Sequence, residues 1–212
     1  MKLYFVRHGE SEANLLREIS NRGTRHGLTA KGREQATALA QALRREAIQH
    51  IYTSPLLRAV QTAEILAGRL NVPFQTADAL REFDCGFVEG RSDTAAWEIH
   101  SRIHESWLRN GERDARIDGG ESFNDIRQRF IPFVEGMAQA FAASESIIVL
   151  VGHGGTYRCM LPLILRNIDD AFIVKHGISY TCAAGHTWTE DMGRKSLPVT
   201  KRLSASAVRY PG

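Results

Sequence analysis

The sequence predicts an α/β fold: a three-layer α/β/α sandwich with a mostly parallel central sheet and a short helical cap insertion. Short β-rich apolar runs alternate with longer helical stretches, the pattern of parallel strands joined by crossover helices on both faces of a sheet. Three of the strand runs end directly in polar, chemically capable residues, as the ligand-binding edge of such a sheet requires. Residues 91–120 carry no clear strand signal, which places a helical cap or insertion there.

Taken in order, Leu3-Tyr4-Phe5-Val6 is the first strand and runs into Arg7-His8-Gly9-Glu10. Residues 29–46 read as a helix with Thr29 as N-cap and Leu39, Ala40 and Leu43 at helical spacing. Residues 50–53 form a second strand. The helix over 55–70 starts with Ser54 as N-cap and Pro55 at the first helical position. A third long helix covers 122–143, with Pro132 expected to kink or break it. Residues 147–151 are the third strand, followed by a helix over 154–165 interrupted by Pro162. Residues 178–182 look like one more strand, and the last dozen residues are expected to be loosely ordered.

A chain of 212 residues suits one domain spanning 1–212, with the cap inserted at about 91–120. Its hydrophobic fraction of 43% and charged fraction of 24% are ordinary for a soluble globular protein. A net charge of +3, scattered and without interleaved aromatics, argues against a nucleic-acid partner but suits an anionic small substrate. Cys85, Cys159 and Cys182 are widely spaced with no CxxC pair, as expected of reduced thiols. Met1-Lys2 leads straight into a strand, and no apolar run approaches the roughly 20 residues that span a membrane. The expectation is a soluble, cytoplasmic protein with no membrane partner; no feature reports on oligomeric state.

The chemistry sits at the strand ends. The first supplies Arg7 and His8, the second Thr53-Ser54-Pro55-Leu56-Leu57-Arg58, and the third Val151-Gly152-His153-Gly154-Gly155. Along one edge of a parallel sheet these residues line one pocket, and the helix after His153 aims its backbone N–H groups and positive end there. Two arginines, two histidines and a helix start make an anion pocket matched to a phosphomonoester dianion. An imidazole beside fixed guanidinium groups can attack phosphorus while the arginines hold the phosphate oxygens.

These motifs resemble the histidine phosphatase superfamily, in its phosphoglycerate-mutase-like branch. The resemblance runs from Lys2 to about Leu165. It is carried by Arg7-His8-Gly9-Glu10, by Ser54-Pro55-Leu56-Leu57-Arg58-Ala59-Val60-Gln61-Thr62-Ala63, and by Gly152-His153-Gly154-Gly155. Gly27-Leu28-Thr29-Ala30-Lys31-Gly32, Leu80-Arg81-Glu82-Phe83-Asp84 and Gly119-Gly120-Glu121-Ser122 are similar to further family segments. The resemblance implies that His8 is the nucleophile that becomes phosphohistidine, and that Arg7, Arg58 and His153 hold the transferring phosphoryl group. It implies that Glu82 is the general acid and then the base that activates water. Asn14 matches a polar pocket residue, and Gly154 is expected to lend a backbone N–H to a phosphate oxygen. No metal and no cofactor are implied.

The physics sets conditions on these roles. Neighbouring arginines disfavour a charged His8, whose second ring nitrogen should donate to a backbone carbonyl. Protonation of His153 is unfavourable in the same electropositive pocket until phosphate arrives.

Some positions depart from the family pattern. Cys85 stands where an aromatic is usual, and is expected to be a small buried side chain. Asn21-Arg22-Gly23-Thr24-Arg25-His26 is unusually basic; Arg22 and Arg25 are candidates for contact with extra negative charge on a substrate, against the alternative of a solvated loop. His100 and His104 lie four apart, as in some metal sites, but an exposed helix face is the expectation. Arg109, Arg113 and Arg116 form a loose basic cluster expected at the surface, the alternative being a substrate carboxylate or second phosphate.

The expected function is metal-independent hydrolysis of a small phosphorylated metabolite. A cofactor-dependent phosphoglycerate mutase is the alternative, and a non-catalytic phospho-ligand binding module is the reading from a different class.

Overall fold

The structure, a computed structural model, describes residues 1–141 and 144–165 and the backbone of Ala183–Thr187. The strand expected over 178–182, Cys182 and the last dozen residues lie outside the described residues.

Five strands, β1 (Lys2–Arg7), β2 (Ile48–Thr53), β3 (Phe74–Thr76), β4 (Ile147–Gly152) and β5 (Ala183–Thr187), form one sheet in the order β3-β2-β4-β1-β5. All neighbours pair in parallel except β1 with β5. Strand alternation sends Leu3, Phe5, Ile148 and Leu150 to one face and Tyr4, Val6, Val149 and Val151 to the other. The first set packs on α5 (Phe123–Ala140) and α6 (Gly154–Ile164) through Phe130, Val134, Tyr157 and Met160. The second packs on α2 (Ala30–Leu43) and α3 (Leu57–Leu70) through Leu39, Leu43, Ala63 and Leu66. This is the three-layer α/β/α arrangement. The short α1 (Glu12–Leu16) follows the first strand, and α4 (Thr94–Leu108) is the helix of the expected cap region.

The N-cap at Thr29 forms as expected, Thr29 Oγ1 accepting from Gly32 N at 3.0 Å; α5 is capped by Ser122, which makes a reciprocal capping box with Asp125. One expectation fails. Ser54 is not an N-cap of α3, which begins at Leu57 after Leu56. Instead Ser54 continues the sheet, its N–H donating to Val151 O at 2.9 Å, so the chain stays extended through Ser54 and turns later. Pro132 does not end its helix, and α5 runs through it; α6 likewise contains Pro162.

The segment after β1 crosses the first turn of α2 with no room for side chains. A Cβ on Gly32 would lie 2.0 Å from Glu10 O, and one on Gly9 would lie 2.4 Å from Gly32 O. Gly32→Ala is therefore expected to destabilise the fold by roughly 1–3 kcal/mol or more. Gly136→Ala, in α5 with nothing within 4 Å of the new Cβ, should stabilise it by up to about 1 kcal/mol. Urea denaturation of the two variants checks both signs.

Candidate active site

The strand order assembles the site. Since β4 lies between β1 and β2, with Arg7 opposite Gly152 and Thr53 opposite Val151, the residues after each strand emerge side by side. His8, Ser54 and His153 are these residues. Arg58 reaches the same point from the first turn of α3.

His8 is 3% exposed and its protonation pattern follows from its partners. Nδ1 lies 2.7 Å from the carbonyl oxygen of Gly9, which only accepts, so Nδ1 carries the hydrogen. Nε2 accepts from Arg58 Nε at 3.1 Å, so it presents its lone pair. Burial, then the charges of Arg58 and Arg7, hold His8 well below the usual histidine range, against the raising effect of the Gly9 carbonyl. The expected neutral imidazole with a carbonyl-fixed tautomer is what the structure shows.

His153 is fully buried, its ring 5.0 Å from that of His8. Nε2 lies 2.7 Å from Ser54 Oγ, while Nδ1 is buried with no hydrogen-bond partner among the described residues. Leaving such an atom unsatisfied costs about 1–3 kcal/mol, which a ligand oxygen would relieve. Burial first, then the charges of Arg58, His8 and Arg7, push His153 well below its usual range. Arg58, 6% exposed, is lowered to about 10 by burial and keeps its charge at neutral pH.

Glu82 occupies the start of α6. Its Oε2 accepts from Gly155 N at 2.8 Å; its Oε1 accepts from Thr156 N at 2.6 Å and Phe83 N at 3.1 Å, with Thr156 Oγ1 3.0 Å away. A Cβ on Gly155 would sit 2.7 Å from Oε1, so this close approach needs glycine. The helix start thus holds the carboxylate as well as facing the anion pocket. The segment before Glu82 is pinned from two helices: Thr156 Oγ1 donates to Arg81 O at 2.7 Å, and Arg129 Nη1 donates to Ala79 O and Arg81 O at 2.8 and 3.1 Å. Arg129 is in turn fixed by Glu121 at 2.8 Å.

Arg7, His8, Asn14, Arg58, Glu82 and Gly154 all line one cavity of about 900 Å³. Gly154 lies against Arg7, where a Cβ would come within 3.2 Å of Cζ. Asn14 Oδ1 accepts from Ser11 N and Ser11 Oγ at 2.9 and 2.8 Å. Arg22 and Arg25 are not brought to the cavity wall. Arg22 binds Asp84 at 2.7 Å and Gly119 O at 2.9 Å, and Arg25 binds Glu18 at 3.0 Å. The Arg109, Arg113 and Arg116 cluster disperses: Arg109 lines the cavity paired with Glu105 at 2.5 Å, Arg113 lies over the Phe123 ring, and Arg116 pairs with Asp125 at 3.0 Å. Cys85 is fully buried, accepts from Asn21 Nδ2 at 3.1 Å, and burial raises its thiol far above the usual range.

The exposed-face expectation for His100 and His104 is overturned. Both are half-buried, line the cavity and contact the Phe83 ring at 5.4 and 5.0 Å between centroids. Ser54 was missed as a site residue because it fits a helix-capping pattern equally well. Its place at a strand end beside the histidine-bearing strand was the available signal. Among the described residues no group of three or more His, Cys, Asp or Glu is placed to hold a metal ion.

Several buried histidines make stability pH-dependent. Burial lowers His104 to about 3, and His8 and His153 also fall well below their ordinary value. In the unfolded chain each titrates near about 6.5, so below that pH the unfolded state binds protons that the folded state does not. Stability present above about pH 6.5 is expected to fall as the pH drops toward the folded values, by up to roughly 1.4 kcal/mol per pH unit for each histidine. Urea midpoints measured from neutral to mildly acidic pH check the sign, and His104→Phe should flatten the slope.

A profile described as histidine phosphatase superfamily (branch 1) matches residues 3–197. The chain belongs to the histidine phosphatase superfamily. Members of that superfamily are phosphatases or mutases. The probable phosphoglycerate mutase GpmB of Salmonella choleraesuis (strain SC-B67) is 34% identical over 168 residues, 78% of this chain and 75% of that protein. The fold is similar to that of Bacillus stearothermophilus YhfR, with a TM-score of 0.77 at 24% identity, covering 93% of this chain and 94% of that one. It is also similar to mycobacterial glucosyl-3-phosphoglycerate phosphatase Rv2419c solved with VO3, with a TM-score of 0.78 at 22% identity, covering 93% and 96%. As in the sequence expectation, this superfamily member has an α/β sheet whose strand ends converge on one site. Among its described residues no helix is long and apolar enough to cross a membrane.

Proposed function

We propose that this protein is a metal-independent phosphomonoesterase that hydrolyses a small phosphorylated metabolite through a phosphohistidine on His8. The observation that carries the reading is the His8 tautomer: a neutral ring presents the Nε2 lone pair between fixed cations, in the same cavity as a carboxylate.

Arg7 and Arg58 bind the phosphate oxygens, and Asn14 and the Gly154 backbone N–H complete the cradle. Binding draws the Arg58 guanidinium from His8 Nε2 to phosphate, which frees the lone pair for attack. His153 Nε2 is engaged with Ser54 Oγ at 2.7 Å, and its buried Nδ1, carrying a hydrogen, satisfies itself on a phosphate oxygen. Negative phosphate offsets the charge that otherwise disfavours a protonated His153. The nucleophile forms the N–P bond as the P–O bond to the leaving group breaks, and Glu82 delivers a proton to the leaving oxygen. Oε2 is the oxygen for this step because it receives one backbone hydrogen bond where Oε1 receives two. Glu82, now ionised, takes a proton from water as hydroxide attacks phosphorus. The N–P bond breaks, and His8 and inorganic phosphate are released. Preorganised charge supplies most of the acceleration of such a loose transition state.

The relatives named as mutases favour the second reading, phosphoryl transfer between two positions of phosphoglycerate. One experiment separates them: phosphate release from a phosphomonoester panel in EDTA, with 3-phosphoglycerate and its bisphosphate primer included. The expected result is release that survives EDTA. Interconversion of 3- and 2-phosphoglycerate with little release would make the protein a mutase. Binding without either reaction would favour the non-catalytic module.

A further inference from the structure

The cavity is not uniform. Its cationic end, around Arg7, His8 and Arg58, accounts for a phosphoryl group; the wall that begins at Phe83, the residue after Glu82, is made of rings. On α4, Trp97, His100 and His104 fall at helical spacing and all line the cavity. His100 lies 5.1 Å from both Trp97 and His104, centroid to centroid, and Phe83 is backed by Trp107 at 5.2 Å. Trp97 is held in place, since its indole N–H donates to Arg17 O at 2.7 Å. Burial lowers both imidazoles, and the neighbouring His100 and Arg158 lower His104 further, so the wall is uncharged at neutral pH. His104 Nδ1 is buried with no hydrogen-bond partner among the described residues. Of the arginines that line the cavity away from its phosphoryl end, Arg109 on α4 is paired with Glu105, and Arg158 on α6 stands near His104.

We infer that the wall formed by Phe83, Trp97, His100 and His104 is a subsite for the leaving group, and that it selects phosphomonoesters whose leaving group carries a planar aromatic ring. Glu82 protonates the leaving oxygen, so the atoms beyond that oxygen lie next to Phe83. A flat ring there stacks or packs edge-on against fixed rings. A small acidic leaving group would gain no such contact. The ring positions are set before binding, so little ordering cost opposes selection.

The inference rests on the phosphomonoesterase reading, and the test separates the two. Benzyl and ethyl phosphate have alkoxide leaving groups of similar reactivity, so the ratio of their kcat/KM values reports recognition. A ratio of at least about tenfold in favour of benzyl phosphate is expected in the wild type, falling several-fold toward unity in Trp97→Ala and His100→Ala. Calorimetry with benzylphosphonate and ethylphosphonate repeats the comparison without turnover, with the same preference expected and circular dichroism confirming that each variant folds. Hydrolysis of both esters at equal efficiency, with equal binding of both phosphonates, overturns the ring subsite and leaves the phosphatase reading standing. Preferential binding of benzylphosphonate with no hydrolysis of any ester supports the subsite and removes the phosphatase reading.

Discussion

Replacing His8 by alanine is expected to lower kcat by on the order of 10⁴-fold or more for every phosphomonoester, whatever its leaving group. The neighbouring imidazole, His153, does not replace it: its Nε2 is engaged with Ser54 and it has no exposed surface. The variant should remain folded, because His8 packs at the edge of the sheet and its side-chain partners include a local carbonyl and Arg58. It should also still bind inorganic phosphate through Arg7, Arg58 and His153. A kinetic assay paired with phosphate calorimetry checks both halves. Normal turnover by the alanine variant would place the chemistry elsewhere.

Glu82→Gln is expected to show an effect that depends on the leaving group. For alkyl phosphates, whose alkoxide must be protonated, the loss of first-step rate should be roughly 10²–10⁴-fold. For 4-nitrophenyl phosphate, whose phenolate leaves unprotonated, the first step should be nearly unaffected and only the hydrolysis of phosphohistidine should slow. The substitution also sets an amide against the start of α6. With the remaining oxygen facing Thr156 N and Phe83 N, the new NH2 faces Gly155 N and loses one hydrogen bond, at a stability cost of about 1 kcal/mol. A uniform loss across leaving groups would show that Glu82 positions α6 without moving a proton.

The sheet and the anion pocket were legible because they rest on local patterns. The apolar runs at Leu3–Val6 and Ile148–Val151 are too short and β-rich for a helix, and each is punctuated by glycine and histidine where the backbone must turn. Thr29 carries a clear capping signature. The small edge strand β3 was not legible: Phe74, Gln75 and Thr76 are all exposed, so no alternation marks them. Ser54-Pro55 fitted a helix start equally well, and only the ladder bond to Val151 keeps it in the sheet. His100 and His104 were misplaced because polar residues at helical spacing normally mark a solvated face. Here that face is covered by Phe83, and which residue covers a helix is a tertiary fact. The basic loop holding Arg22 and Arg25 was misleading for the same reason, since its carboxylate partners Asp84 and Glu18 are chosen by the fold.

The central claim is a phosphohistidine on His8, and trapping it is the most direct measurement. Glu82→Gln protein mixed rapidly with 4-nitrophenyl phosphate should release a burst of nitrophenolate of about one equivalent per site. Quenching in alkali and peptide mapping should then find one phosphoryl group on the peptide containing His8, stable to base and lost in acid. Turnover without a burst, and with no phosphoryl group on His8 at any time, would contradict the account.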